Sequence, residues 1–173
     1  MAMSPTVEAF VVHWGEMGSR WGVNRSVAQI HALLYLATEP LHAEGIAETL
    51  GIARSNVSNS LKELQSFGLV RLSHVLGDRR DHFEALQDPW DMLMTVVEAR
   101  KRREIDPTVA MLRDCVAKAE ADPRTDPKVK QRIADMLGFL ETLTGWYDQV
   151  RRIPRPALTK IIRLGERIAR YVG

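Results

Sequence analysis

Residues 42–85 read HAEGIAETLGIARSNVSNSLKELQSFGLVRLSHVLGDRRDHFEA, and this stretch decides the fold. Its first part, about Ala43 to Leu50, places Ile46, Ala47 and Leu50 on one helical face. Leu41 and Ile46 are spaced to staple a helix start capped by His42. Gly51 stands at the C′ position, where a left-handed residue turns the chain. A second helix follows, about Arg54 to Ser66, with Val57, Leu61 and Leu64 on its apolar side, and Gly68 ends it. Leu69-Val70-Arg71-Leu72 and His82-Phe83-Glu84-Ala85 then read as short strands around Gly77-Asp78-Arg79-Arg80-Asp81. Helix, tight turn, helix and hairpin in that order predict a mainly α protein built on a winged helix-turn-helix with a two-stranded wing.

The second helix carries the chemistry. Stepping about 100° per residue from Val57 keeps Leu61 and Leu64 on the buried side. Ser55, Asn59 and Lys62 fall opposite, flanked by Asn56, Ser58 and Glu63. Asn can bond adenine bidentately, Ser can donate or accept, and Lys can reach guanine or phosphate. Ser and Asn are mediocre helix formers, so RSNVSNS gives up helix propensity, which suggests a use for those groups. The expected DNA contacts are Arg54, Ser55, Asn56, Ser58, Asn59 and Lys62 on this helix, Arg71 on the first wing strand, and Arg79 and Arg80 at the hairpin tip, within reach of a minor groove or phosphates.

Charge does not make this argument. The 173-residue chain has 24 Lys and Arg against 22 Asp and Glu, and residues 1–85 carry a slight acidic excess. The reading rests on where the basic residues point.

Outside the motif helical periodicity dominates. Ser4-Pro5 starts a helix striped by Val7, Phe10, Val11, Trp14 and Met17, with Gly18 and Gly22 expected to break it. Another helix follows Asn24, with Val27, Ile30, Leu33, Leu34 and Ala37 inward and Thr38-Glu39-Pro40 at its end. Asp-Pro pairs at 88, 106, 122 and 126 read as helix-start signals, giving helices near 89–105, 107–121, 127–152 and 156–171. Pro107 marks either a break or a kink. The expected division is an N-terminal dimerisation helix (1–22), a DNA-binding domain (23–87), and a helical dimerisation and effector region (88–173).

Other classes find little support. The five His residues show no metal-ligand spacing, and no HExxH, CxxC or Gly-rich phosphate loop is present, so no enzyme, metal site or cofactor is expected. The N-terminus lacks signal-peptide character, no apolar run approaches the ~20 residues of a bilayer span, and one cysteine, Cys115, suits a reducing cytoplasm. Cys115 sits among Leu112, Val116 and Ala119 and reads as an inert buried thiol. The run Arg100-Lys101-Arg102-Arg103, bracketed by Glu98 and Glu104, reads as a solvated face.

The stretch from Glu39 to Ala85 resembles the winged helix-turn-helix of the MarR superfamily. Arg25-Ser26-Val27-Ala28-Gln29-Ile30, Gly77-Asp78-Arg79-Arg80, Asp88-Pro89-Trp90 and Arg100 to Pro107 extend the resemblance to its GbsR-type branch, over roughly Trp21 to Asp114. Ala53 and His42 depart from it, standing where Ser or Thr caps are usual; Ser55 is the alternative cap for the recognition helix. The resemblance implies a homodimeric transcriptional regulator whose N- and C-terminal helices form the dimer interface; the expectation here is a repressor, or else an activator, on a pseudo-palindromic operator with recognition helices ~34 Å or a multiple apart. For some members it also implies a response to choline or related quaternary ammonium compounds, which needs an aromatic cage. Trp14, Trp21, Tyr35, Trp90, Trp146 and Tyr147 are the available faces, and ordinary packing is the competing use of each. The rival to the whole reading is a winged helix used for protein–protein contact, which the acidic balance of residues 1–85 keeps open.

Overall fold

The computed structural model describes residues 3–161 and Leu164. Residue contacts divide the chain into two compact units, Met1–Ala99 and Arg100–Gly173.

The first unit is a winged helix with an added N-terminal helix. Helix α1 (Pro5–Arg20) begins with the Ser4 Oγ accepting from the Val7 amide at 3.3 Å, and Pro5 takes its first position. Helix α2 (Arg25–Leu36) is capped by Asn24, whose Oδ1 accepts from Ser26 N–H at 2.8 Å. Strand β1 (Leu41–His42) leads into α3 (Ala43–Leu50), then α4 (Arg54–Phe67), β2 (Val70–Ser73) and β3 (His82–Ala85). The core gathers Val11, Ile30, Leu34, Ile46, Val57, Leu61, Leu64, Val70 and Phe83. Ile30, Ile46 and Val57 are wholly buried, each contributing about 1.5–3 kcal/mol of apolar transfer.

Three sequence expectations need correcting. Gly18 does not break α1. It lies inside the helix, and a Cβ there would sit 2.5 Å from the Ala28 Cβ; the missing side chain brings the α1 backbone against α2. The sheet has three antiparallel strands, in order β1-β3-β2. The extra strand pairs Leu41 with Phe83 and His42 with His82, anchoring the wing to the entry of α3. The wing strands themselves lie at 70–73 and 82–85, the first starting one residue later than expected.

His42 does cap α3, its Nδ1 accepting from Gly45 N–H at 3.0 Å, and Gly51 ends that helix at φ 63°. A residue with a Cβ is strained in that conformation, and glycine is not.

The last element of the first unit is α5, which begins at Pro89. Asp88 caps it, Oδ1 accepting from Trp90 and Asp91 at 2.9 Å each. Met92 and Val96 pack on the core. Helical residues continue without a break from Pro89 to Ala121: α5 (Pro89–Arg100), a π-helical turn (Lys101–Ile105) and α6 (Asp106–Ala121). Asp106 is therefore no cap. Its backbone is helical at φ −59°, ψ −43°. A proline ring meets the carbonyl four residues back in a regular helix; for Pro107 that is Arg103, inside the wider π turn. Pro107 marks neither a break nor a new start.

In the second unit α6 packs against α7 (Pro127–Val150), which Asp126 caps by accepting from Lys128 N–H at 2.7 Å. Arg113 and Glu141 join the two helices by an ion pair at 2.7 Å. Val109, Ala119 and Leu158 are buried. Helical residues 155–161 follow; the remainder of the helix expected at 156–171 lies outside the described residues, Leu164 excepted. Cys115 is half-buried, its Sγ donating to the Met111 Sδ at 3.5 Å. Among the described residues no helix is long and apolar enough to cross a membrane.

Candidate nucleic-acid interface

Helix α4 turns one face to the core and one to solvent. Val57, Leu61 and Leu64 are buried, and so is Ser60 at 3 % exposure. Arg54, Ser55, Asn56, Asn59 and Lys62 are exposed and Ser58 is half-buried. The helix starts after Ala53, with no side-chain cap. Ser55 does not replace it, because the helix already includes that residue. The uncapped first turn leaves amide groups open to an anion.

Asn56 is engaged at both ends of its amide. Its Nδ2 donates to Ser26 Oγ at 3.0 Å, and its Oδ1 accepts from Ser60 Oγ at 3.4 Å. It ties the recognition helix to α2. Asn59 and Ser55 stay exposed on this face.

The wing is organised by a carboxylate. Its tip is the turn Val75–Asp78, closed by the Asp78 amide donating to the Val75 carbonyl at 3.1 Å; Arg79 and Arg80 lie just beyond it rather than at the apex. Asp78 Oδ1 accepts from the Arg80 amide at 3.0 Å and from its Nε at 2.9 Å, while Oδ2 takes the Arg80 Nη2. The guanidinium beside it holds the Asp78 carboxyl well below the usual carboxylate range, and Asp78 in turn raises the Arg80 pKa. His82, buried at 5 % exposure, closes the arrangement from below. Its Nδ1 lies 2.9 Å from the Arg80 carbonyl and its Nε2 3.5 Å from Asp78 Oδ2.

Two more of the expected DNA contacts are also held by carboxylates. Arg54 Nη1 meets Glu44 Oε1 at 2.7 Å. Arg71 Nε meets Glu84 Oε1 at 2.8 Å, directly across β2 and β3. Among the described residues Lys62 and Arg79 are the interface cations without a carboxylate partner. A cleft of about 440 Å³ opens between α3, α4 and the wing, rimmed by Glu44, Arg54, Lys62 and Arg80 over Leu61 and Phe83.

The sequence alone does not point to Glu44, Glu84 or His82 as parts of this surface, and it places Asp78 in the wing turn without its bonds to Arg80. Arg71 and Glu84 are a cross-strand pair that a correct hairpin register would have revealed. Glu44 and Arg54 are ten residues apart across a turn, and only the packing of α3 on α4 joins them.

The six aromatic residues considered for a cage are spread over both units. Trp14 stacks on Phe10 with centroids 5.3 Å apart and faces His31 at 6.5 Å. Trp14 and Tyr35 pack on the first core, Trp21 is 65 % exposed at the end of α1, and Trp90 opens α5. Trp146 and Tyr147 lie on α7 in the second unit.

Residues 21–81 match a family model described as MarR family. A Bacillus subtilis (strain 168) protein, provisionally named as the HTH-type transcriptional regulator YvaV, is 17 % identical over 146 residues, covering 83 % of this chain and 82 % of its own length. A crystal structure of a transcriptional regulator aligns with a TM-score of 0.56 at 21 % identity, covering 84 % of this chain and 99 % of that one. A Staphylococcus aureus MepR variant bound to an oligodeoxyribonucleotide aligns with a TM-score of 0.39 at 16 % identity, over 80 % and 90 % of the two chains. The likeness to the first of these two structures is one of fold: a winged helix with flanking helices.

Proposed function

We propose that this chain is a MarR-type transcriptional regulator that binds double-stranded DNA in a sequence-specific way, with α4 in the major groove and the wing against the adjacent minor groove. The observation that carries this reading is the outward Ser55, Asn59 and Lys62 face on a helix with a fully buried apolar back, beside a wing whose Arg80 is held in place by Asp78. Nothing in the packing of the first unit requires those polar residues.

The active form is a homodimer on a pseudo-palindromic operator. Helix α7 supports this. None of its 24 residues is buried. Ile133, Leu137, Leu140 and Tyr147 are half-buried, while Val129, Met136, Phe139, Leu143 and Trp146 are exposed. The exposed set recurs at the spacing of a heptad seam, which a helix presents to a partner rather than to water. A second copy of the chain is the occupant we assign to it. Phe139→Glu is expected to shift the protein from dimer to monomer in light scattering coupled to size exclusion; an unchanged dimer would remove α7 from the interface.

We place the protein in the GbsR-type branch, as a repressor released by choline or a related quaternary ammonium compound held against aromatic faces. Selection of duplexes from a random library, followed by electrophoretic shift, tests the DNA reading. Failure to enrich any sequence, or binding insensitive to salt, would sink it in favour of a protein-contact module. Tryptophan fluorescence titrated with choline and glycine betaine tests the effector.

A further inference from the structure

The interface holds an arrangement that fold stability does not account for. Arg54 opens the recognition helix, where residues of a helix-turn-helix reach base edges. Its guanidinium is bound through Nη1 by Glu44 at 2.7 Å, and both side chains are largely open to solvent, at 67 % and 45 %. Exposed pairs of this kind contribute little to stability. Asp78 has a second task, fixing the backbone just past the wing turn by accepting from the Arg80 amide, and Glu84 sits opposite Arg71 in the strand register. Glu44 makes no such additional side-chain hydrogen bond to the backbone. It does lie close enough to act on Arg80 as well, from the other side of the cleft.

Resting on the DNA-binding reading above, we propose that Glu44 is a specificity-determining positioning residue: it fixes Arg54 for contact with a base edge and keeps backbone phosphates from taking it. A guanidinium bound at Nη1 still offers Nη2 and Nε, and Arg recognises guanine through two such donors. A phosphate taking those same donors lies beside the Glu44 carboxylate and is repelled by its like charge, whereas a neutral guanine edge is not. Binding that depends on phosphates alone, as non-specific binding does, bears that penalty. A base contact that leaves the pair intact does not. The acidic excess of residues 1–85 then has a use: it lowers the affinity for arbitrary DNA.

The experiment is Glu44→Gln in the full chain, alone and with Arg54→Ala, against the duplex enriched by the wild-type protein and a scrambled duplex, from about 50 to 200 mM salt. Glu44→Gln is expected to tighten scrambled-DNA binding about 3- to 10-fold, to leave operator binding equal or weaker, and to steepen the scrambled-DNA salt slope by about one. In the Arg54→Ala background these effects vanish. Operator and scrambled affinities rising together, an effect that persists without Arg54, or no change in either affinity would each overturn the proposal while leaving DNA binding intact. Absence of any wild-type complex would overturn the DNA-binding reading itself, and this inference with it.

Discussion

His42 and His82 meet edge to face across β1 and β3, with ring centroids 5.5 Å apart and planes at 87°. One caps the first helix of the helix-turn-helix and the other underlies Asp78 and Arg80 in the wing. The ring contact thus adds to the β1–β3 pairing in joining the two halves of the candidate interface.

His42→Ala is expected to lower stability by about 1 kcal/mol, the usual cost of a lost cap, or roughly 2–4 °C in a chain of this size. His42→Ser, which restores an acceptor to the Gly45 amide, should recover most of it. Thermal unfolding followed by circular dichroism separates the two; equal losses in both variants would assign the effect to the His82 contact rather than the cap.

His31 gives stability a pH dependence. It is buried on α2 with no partner for Nε2, and desolvation pushes its pKa from 6.5 down to about 4. Between those values the unfolded chain binds the proton that the native chain refuses. Stability therefore falls as pH falls through that window, by about 3 kcal/mol at its end. His31→Leu is expected to flatten the wild-type curve between pH 6.5 and 4 in urea titrations; parallel curves would show that His31 takes its proton in the fold.

Gly18→Ala should destabilise the first unit by about 1–3 kcal/mol, because the added methyl meets Ala28 at 2.5 Å and helices cannot part without opening the core. Gly18→Ala with Ala28→Gly returns the space and should restore much of the loss. Denaturant midpoints of the single and double variants decide the matter, and additive losses would mean that the close approach is not what Gly18 provides.

Two interface residues should fail differently. Asn59→Ala is expected to relax sequence preference at one operator position by about 1–3 kcal/mol. Arg79→Ala should weaken all sequences alike and reduce the salt slope by about 0.9. Binding to the selected duplex and its single-base variants distinguishes them, and a sequence-selective loss from Arg79→Ala would move that residue from the phosphates to a base.

The legible parts of this fold are those written in local periodicity. Val57, Leu61 and Leu64 fix the buried face of α4 by spacing alone, and His42 and Gly51 bracket α3 by their own chemistry. What spacing did not reveal depends on tertiary context. β1 is two residues long, too short for any alternation to register. Gly18 resembles a breaker until α2 is seen against it. Asp106-Pro107 has the chemistry of a helix start, yet the helix runs through it by widening just before. The Ser/Asn face could be read because those residues are unusual on a helix, whereas Glu44 and Glu84 are ordinary surface residues until packing and strand pairing set them beside Arg54 and Arg71.

The absent Cβ at Gly18 has a mechanical meaning. With α1 seated against α2 at Ala28, and α2 linked to α4 through Ser26 and Asn56, the three helices form a stack without a joint. Interiors packed at this density do not slide continuously. A signal that re-aims α4 is therefore expected to carry α1 and α2 along with it.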